Sequence, residues 1–341
     1  MRSISVVVAL VACHGSSGTT VDGSHATDAA MLNTTPNQWV WVEVPGTTCA
    51  NGTPAGFGLD RSSTLGGDLF VYFEGGGACW DTATCTANPP VAVNLDVTYN
   101  AAKLATDVAV LTVDRSVGPP LATSNFVFVP YCTADLHAGT TVTAYPAGPT
   151  IHHTGALNTQ AFVDELSAAF PDAGTVWVTG SSAGGYGATL DFHRFATGWP
   201  NAGVHLLEDS SPFIPFVANY ATLQTAWQIA FPPGCTGCDS SFTAVFDAVA
   251  TAHPTSRLAL MTWDNDQIVA AYFGYTTSLI PVQDDLITNH FDRPNTHVFE
   301  AAGTSHTMFG QLTTVTSHGV RLSDWVTQWL VGDPAWATVR P

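Results

Sequence analysis

Short apolar runs alternate with helix-like patterns along most of the chain, and this alternation restricts the fold more than any other feature. The apolar runs predict buried strands at 39–44, 69–73, 126–129, 176–179, 204–207, 258–263 and 296–299. Helical periodicity predicts helices at 158–170, 185–195, 242–252 and 322–330. Strands that alternate with helices predict an α/β domain, in which a mainly parallel central sheet carries helices on both faces.

The composition predicts a globular protein and argues against nucleic-acid partners. The chain is 45% hydrophobic over 341 residues, which is enough to bury a large core. Its 27 acidic residues against 9 basic ones give a formal charge of −18, and such a field repels phosphate backbones. The adjacent histidines His152 and His153 lack a carboxylate or thiol at ligand spacing. We therefore expect no metal site at this pair. We also expect a monomer without a cofactor, although the sequence does not fix the oligomeric state.

The N-terminus predicts export. Arg2 precedes an apolar run at 4–12, and Leu10-Val11-Ala12-Cys13 resembles a bacterial lipobox. We expect residues 1–12 to be a lipoprotein-type signal peptide, with Cys13 as the lipidated residue and a membrane anchor. An ordinary cleaved signal peptide and a misassigned start site are the alternatives. Residues 13–35 predict a flexible tether, and 36–341 a single domain in a cell-envelope or secreted protein.

The remaining six cysteines form an even set, which in an exported chain predicts up to three disulfides. The short spacings favour the pairs Cys79–Cys85 and Cys235–Cys238, and this leaves Cys49 with Cys132. The spacing does not fix this pairing. Cys235-Thr-Gly-Cys238 is also compatible with half of a zinc site or with a redox pair, and we favour a structural disulfide.

A Gly-x-Ser-x-Gly motif follows one of the predicted strands. Gly180-Ser181-Ser182-Ala183-Gly184 stands between the strand at 176–179 and the predicted helix at 185–195. Small residues on either side of a serine permit a sharp strand-to-helix turn, from which the hydroxyl projects above the sheet. The motif predicts Ser182 as a nucleophile, and a Ser/Gly-rich turn without catalysis is the alternative.

A serine nucleophile needs a base and an orienting acid, which in this type of fold follow it in the order acid, then histidine. The strand at 258–263 ends at Asp264-Asn265-Asp266, and the strand at 296–299 leads into Gly303-Thr304-Ser305-His306. We predict His306 as the base, with His318 as its main rival. Asp264 and Asp266 are both candidates for the acid, and Asp209 is a more distant one.

A glycine triplet predicts an oxyanion hole. The strand at 69–73 runs into Glu74-Gly75-Gly76-Gly77, and glycines after a strand leave backbone N–H groups uncovered. Ala183, directly after Ser182, would supply another N–H group. A phosphate-binding loop is the alternative, but the Lys-Ser/Thr that should follow it is missing from this stretch.

These motifs together resemble those of the pectin acetylesterase/Notum family. The resemblance rests on residues 73–80 (FEGGGACW), 130–139 (PYCTADLHAG) and 180–185 (GSSAGG), with Asp264-x-x-Gln267 and Ser305-His306. It implies an α/β-hydrolase fold and a carboxylesterase that removes acyl groups from hydroxyls. It further implies Ser182, Asp264 and His306 as the triad, with oxyanion donors at Gly76, Gly77 and Ala183.

The substrate is less defined than the chemistry. Trp80, Tyr131, Phe213 and Phe216 are the predicted substrate-binding residues. Because the net charge disfavours a polyanion, we expect a serine esterase that cleaves acetyl or other short, neutral esters, such as those of an acetylated polysaccharide. Polyester, aryl-ester and lipid-acyl hydrolysis are alternatives within the same fold, and so are peptidase and thioesterase activity. A non-catalytic carbohydrate-binding homologue is the alternative from another class.

Overall fold

A computed structural model describes residues 31, 33–64, 67–111 and 115–341. The predicted signal peptide at 1–12 and the predicted lipidation site at Cys13 lie outside the described residues. Met31 is buried in the core, and the Thr34 carbonyl accepts hydrogen bonds from the Arg61 guanidinium. The tether predicted to extend to residue 35 is therefore already packed onto the domain at these two positions.

An eight-stranded mixed sheet forms the centre of the domain. In chain order its strands are β1 (Trp39–Thr48), β2 (Pro54–Asp60), β3 (Leu69–Phe73), β4 (Asn125–Val129), β7 (Thr175–Ser181), β8 (Gly203–Asp209), β9 (Leu258–Trp263) and β10 (Thr296–Ala301). A small separate hairpin consists of β5 (Thr141–Ala144) and β6 (Thr150–His153), and another of β11 (Thr316–Ser317) and β12 (Val320–Arg321).

The strand order across the sheet is β1-β2-β4-β3-β7-β8-β9-β10. The six strands from β4 to β10 run parallel, while β1 and β2 add an antiparallel edge. Ligands bind at the carboxyl ends of parallel strands in such sheets. The segments that follow β3, β7, β8, β9 and β10 therefore meet at one edge, which is where the candidate site lies.

Helices cover both faces of the sheet. They are α1 (Thr82–Cys85), α2 (Ala101–Val108), α3 (Gly155–Ala169), α4 (Ala183–Leu190), α5 (Phe192–Gly198), α6 (Tyr220–Trp227), α7 (Thr243–Ala252), α8 (Gln267–Phe273), α9 (Ile280–His290) and α10 (Leu322–Val331), with 3₁₀ turns at Pro119–Thr123 and Phe309–Gln311. None of the helices in the described part of the chain is both long and apolar enough to cross a membrane.

Two hydrophobic cores lie on opposite faces of the sheet, because side chains alternate along each strand. On β7, Val176 and Val178 contribute to the larger core, and the intervening Trp177 contributes to the smaller one. The larger core also takes the apolar side of α3, α4 and α7, whereas α10 packs into the smaller core with Trp325 and Trp329. The predicted mainly parallel α/β architecture is confirmed.

The structure differs from the sequence prediction in its additional elements and in a divided helix. The elements that were not predicted are strand β2, the two small hairpins, and helices α1, α2, α6, α8 and α9. Strand β2 was not predicted, because its glycines weaken the apolar alternation; a Cβ atom at Gly56 would lie 2.1 Å from the Val42 carbonyl oxygen of β1. The single helix predicted at 185–195 is divided into α4 and α5 at Asp191, whose buried carboxylate pairs with Arg194.

Three disulfides fasten the loops of the domain, in the predicted pairing. They join Cys49 to Cys132, Cys79 to Cys85 and Cys235 to Cys238. The bond from Cys49 ties the β1–β2 turn to the loop after β4, and the bond from Cys79 closes the turn after the glycine triplet. Disulfides of this kind are typical of proteins that fold in an oxidising compartment.

Candidate active site

Ser182 stands at a sharp turn between β7 and α4, as the motif predicts. Its backbone has φ 56° and ψ −125°, a conformation that residues other than glycine rarely adopt. The Ser182 N–H donates to the Asp209 carbonyl at 2.7 Å, which fixes the turn against β8. A Cβ atom at Gly184 would lie 2.1 Å from the Phe73 carbonyl oxygen, so only glycine permits this close approach to β3.

The imidazole of His306 is oriented by Asp266. His306 Nδ1 lies 2.7 Å from Asp266 Oδ2, and the Asp266 side chain is fully buried. Since a carboxylate only accepts, Nδ1 carries the proton and Nε2 of the neutral ring is left as a proton acceptor. The same carboxylate caps α8, because its Oδ1 accepts from the Ile268 and Val269 N–H groups at 2.9 and 3.0 Å.

The structure corrects the prediction that Asp264 orients the histidine. Asp264 Oδ1 accepts from the Gly303 N–H at 2.9 Å, and the Asp264 N–H donates to the Ala301 carbonyl. Asp264 thus fastens the end of β9 to the loop after β10, while Asp266 reaches the ring. A signal for this was present in the sequence, because an aspartate directly before the apolar helical run at 267–273 is a typical N-cap.

The glycine loop after β3 is held by hydrogen bonds to its carbonyl groups. His137 Nε2–H donates to the Glu74 carbonyl at 2.9 Å, and the Val93 N–H donates to the Gly76 carbonyl, also at 2.9 Å. Burial lowers the pKa of His137 to about 4, so this ring is neutral and serves as a structural donor. A trans peptide places C=O and the following N–H on opposite sides, so Gly77 N–H points away from Val93.

Position 77 also requires glycine, because a side chain there would clash with its neighbours. Its φ is +75°, and a Cβ atom there would lie 2.0 Å from the Val91 carbonyl oxygen. The Tyr131 hydroxyl donates to the Gly77 carbonyl at 2.6 Å. At the other side of the serine, Ala183 is the first residue of α4, where helix geometry leaves the N–H without an intrahelical acceptor. Gly76, Gly77 and Ala183 thus remain the predicted oxyanion donors.

Two openings meet at Ser182 and His306. The first, here called the apolar cavity, has a volume of about 40 Å³ and is lined beside these two residues by Gly77, Ala78, Trp80, Leu136, Ala183, Tyr186, Phe216, Leu223, Trp227, Ile268, Val269, Tyr272 and Phe273. The second, here called the open cleft, has about 550 Å³ and is lined by Tyr72, Glu74, Gly75, Gly76, Gly77, Val110, Leu111, Ser181, Ile268, Tyr272, Thr307, Phe309 and Gly310. A small, mainly apolar space and a wide open cleft thus meet at Ser182.

Of the four aromatic residues predicted to bind substrate, two lie in the wall of the apolar cavity. Trp80 and Phe216 line it. The structure corrects the prediction for the others, since Tyr131 is fully buried under the glycine loop and Phe213 is buried against Tyr186. Both are supports for the site.

Asp209 at the end of β8 joins the serine turn to the histidine loop. Its Oδ2 accepts from the Ser181 hydroxyl at 2.8 Å, and its carboxylate also accepts from the N–H groups of Met308 and Phe309 at 2.7 and 3.1 Å. Burial raises the pKa of Asp209 to about 6. The sequence suggested this residue only as a distant candidate for the acid, whereas its contacts make it an anchor of the loop that carries His306.

Glu208, next to Asp209, is a buried carboxyl group. Among the described residues, few hydrogen-bond donors offset the cost of removing its charge from water. Its Oε1 accepts from the Thr189 hydroxyl at 2.6 Å, and its Oε2 has no hydrogen-bond partner within the described part of the chain. Burial raises the pKa of Glu208 well above its ordinary value. Folding therefore favours the protonated acid.

This burial predicts a pH-dependent loss of stability. A raised pKa in the folded state means that the contribution of Glu208 is fully present below about pH 4.5 and declines as the pH rises towards the folded-state pKa. We expect Glu208→Gln, which needs no protonation, to reduce the fall in Tm between about pH 5 and about pH 8. Thermal melts of both proteins across this range measure the effect. The exposed Glu43→Gln is the matched control, and equal slopes for Glu208→Gln and the wild type would contradict the prediction.

The fold and the serine turn define an α/β-hydrolase. The chain belongs to the pectinacetylesterase family, whose sequence profile matches residues 33–231. The palmitoleoyl-protein carboxylesterase NOTUM of Mus musculus is 30% identical over 175 residues, which are 49% of this chain and 34% of the mouse protein. Pectin acetylesterase 5 of Arabidopsis thaliana is 28% identical over 185 residues, or 53% of this chain and 43% of the plant protein.

One relative is named as inactive. The inactive palmitoleoyl-protein carboxylesterase notum1b of Danio rerio is 32% identical over 111 residues, which are 33% of this chain and 76% of that protein. In contrast, this chain spans only about a third of the length of the mouse relative. The family match includes the glycine loop and Ser182 but ends before Asp266 and His306. The positions of these last two residues thus rest on the structure.

Proposed function

We propose that the protein is a serine carboxylesterase that removes acetyl or other short acyl groups from hydroxyl groups. One observation carries this proposal: Ser182, on its sharp turn, and His306, held by the buried Asp266, line the same two openings. Membership of the pectinacetylesterase family supports ester hydrolysis as the reaction.

Acylation would use the groups as follows. The Ser182 hydroxyl oxygen bonds to the ester carbonyl carbon while His306 Nε2 takes its proton, and Asp266 stabilises the resulting imidazolium. The carbonyl oxygen becomes an anion, which the N–H groups of Gly76, Gly77 and Ala183 would bind. The C–O bond to the alcohol then breaks, and His306 gives the proton to the departing oxygen.

Deacylation repeats these steps with water in place of the alcohol. His306 Nε2 takes a proton from a water molecule whose oxygen bonds to the acyl carbon, and the same donors hold the second oxyanion. The C–O bond to Ser182 breaks, the proton returns to Ser182, and the carboxylic acid leaves. The water can enter from the open cleft, which reaches both residues.

The two openings would hold different parts of the ester substrate, the acyl group in one and the alcohol half in the other. The apolar cavity suits the acyl group, because its walls are almost wholly apolar and it begins at Ser182 and Ala183. Its volume of about 40 Å³, against about 550 Å³ for the open cleft, makes it the narrower of the two openings, and we expect it to take a short acyl chain. The open cleft suits the larger alcohol half.

An acyl-chain series tests the proposal. We expect kcat/KM to be highest for p-nitrophenyl esters of two to about four carbons and at least roughly tenfold lower for octanoate and longer chains, since methylenes that find no space gain no burial energy. Spectrophotometric release of p-nitrophenol measures the series. Preference for long chains would favour the lipid-acyl alternative, and inertness on every ester would favour a non-catalytic homologue.

A cavity variant gives this series its control. Phe216 lies in the cavity wall and stacks on Phe273 with ring centroids 4.0 Å apart. Phe216→Ala should enlarge the cavity and move the optimum to longer chains. If the optimum stayed unchanged in this variant, the apolar cavity would not be the acyl site.

We also propose that the protein is exported. The three disulfides support this, since disulfides persist in oxidising compartments. The names of the relatives do not address lipidation, and the anchor at Cys13 stays a prediction from the sequence.

A further inference from the structure

The wall of the open cleft has an unusual charge distribution. Among the described residues that line it, Glu74 is the only carboxylic acid, His306 is the only imidazole, and neither lysine nor arginine is present. An anionic alcohol that entered this cleft would therefore meet an acid and find no cation in the described wall to compensate its charge.

Two basic residues, one of which acts on Glu74, are engaged in contacts of their own. Lys103, whose charge acts on Glu74, pairs with Asp107 at 2.5 Å. Arg115 pairs with Asp60 at 2.6 Å, donates to the Ser124 carbonyl and lies over the Phe126 ring. Both cations thus already serve local acids or carbonyl groups, and the net charge of −18 adds to the repulsion of anions at longer range.

Glu74 is held rigidly at the start of the glycine loop. Its Oε2 accepts from the Tyr99 hydroxyl and from the Tyr131 N–H, both at 2.8 Å. Burial, together with the neighbouring Asp107, raises the pKa of Glu74 to about 7. The group can therefore change charge near neutral pH, and a second carboxylate nearby would disfavour its ionised form.

We propose that Glu74 makes the open cleft select esters by the charge of their alcohol half: a neutral alcohol, such as an unmodified sugar hydroxyl, is accepted, and an alcohol that carries a carboxylate is rejected. This inference rests on the proposed function, since it concerns the same site. Within the substrates of a pectin polymer, the proposal favours acetyl esters whose neighbouring carboxylates are methyl-esterified over those of an unmethylated polyuronate.

Two acetyl esters of similar size test the proposal. para-Acetoxybenzamide has a neutral leaving group, and para-acetoxybenzoate an anionic one. Each kcat/KM is divided by the rate of hydrolysis by hydroxide, which removes the difference in leaving-group reactivity. We expect the wild type at about pH 8 to prefer the amide by roughly tenfold, the size expected for like charges several ångströms apart in a partly buried site.

The variant Glu74→Gln connects the preference to this residue. Its amide oxygen can still accept from Tyr99 and Tyr131, but it carries no charge. The preference for the neutral ester should shrink several-fold in this variant and stay unchanged in Glu43→Gln, an exposed control on β1. In the wild type the preference should also shrink at about pH 6, where Glu74 is mostly protonated, which provides a test without any variant.

The outcomes separate the two proposals. Equal hydrolysis of both esters, or a preference that neither Glu74→Gln nor the lower pH reduces, would overturn the charge selection and leave the esterase intact. Hydrolysis of neither ester would overturn the proposed function and the charge selection with it. Acetylated pectin extends the test to polymers, since removal of its methyl esters should reduce acetate release.

Discussion

Replacement of Ser182 by alanine should abolish ester hydrolysis while the protein stays folded. We expect kcat for p-nitrophenyl acetate to fall by about 10⁴-fold or more, because the covalent route is lost and only binding and the oxyanion donors remain. The Ser182 N–H bond to Asp209 belongs to the backbone and survives the change. Hydrolysis rates and covalent labelling by a fluorophosphonate, which reacts with activated serines, measure the effect.

The neighbouring serine provides the matched control. The Ser181 hydroxyl donates to Asp209 and accepts from Tyr72, so it supports the turn and takes no part in the proposed bond formation. Ser181→Ala should still be labelled and should lose less than about tenfold in kcat. Wild-type activity in Ser182→Ala, or labelling that depends on Ser181 instead, would contradict the assignment of the nucleophile.

The features that the sequence predicted well are local. The serine turn depends on a strand, five small residues and a helix that are continuous in the chain, so their pattern is sufficient. The order of serine, acid and histidine follows from the strand order of this sheet, in which β7, β8, β9 and β10 are neighbours. The three disulfides have the pairing that the short spacings favoured, although the spacing alone did not fix it.

The features that the sequence did not predict depend on the direction in which a side chain points. Tyr131 stands in a family motif and is aromatic, yet its hydroxyl turns to the Gly77 carbonyl beneath the loop. Glu74 is adjacent to the glycine triplet, but Tyr99 and Tyr131, which hold its carboxylate, are 25 and 57 residues away in the chain. Such contacts arise only from tertiary packing.

The choice between Asp264 and Asp266 is the sharpest example of this limit. The two residues follow the same strand and are two positions apart, and the family pattern favours Asp264. In the structure Asp266 caps α8, and the capping geometry directs its second oxygen to His306. Asp264 meets the backbone of Gly303. The N-cap rule, applied to the helix after β9, would have favoured Asp266.

Exchange of each acid for asparagine should separate them by activity. Asp266→Asn should lower kcat by about 10³–10⁴-fold, because the amide oxygen is held at the cap of α8 and the NH2 group then faces His306. This group donates to Nδ1, which favours the wrong tautomer, and it carries no charge to stabilise the imidazolium. Asparagine is itself a good N-cap, so α8 should be retained. Asp264→Asn keeps an oxygen that can accept from the Gly303 N–H, and it should lose only a few-fold. Hydrolysis of p-nitrophenyl acetate and the Tm of both variants measure these effects.

A double variant that combines Ser182→Ala with Asp266→Asn separates a catalytic role of Asp266 from the effect of a small structural change. Groups that act as one catalytic unit are strongly non-additive, so Ser182→Ala with Asp266→Asn should be little slower than Ser182→Ala alone. A residue that acts only on stability would instead add its full effect to the single variant. If Asp264→Asn caused the larger loss and showed this non-additivity, Asp264 would be the triad acid and the contact between Asp266 and His306 would be structural.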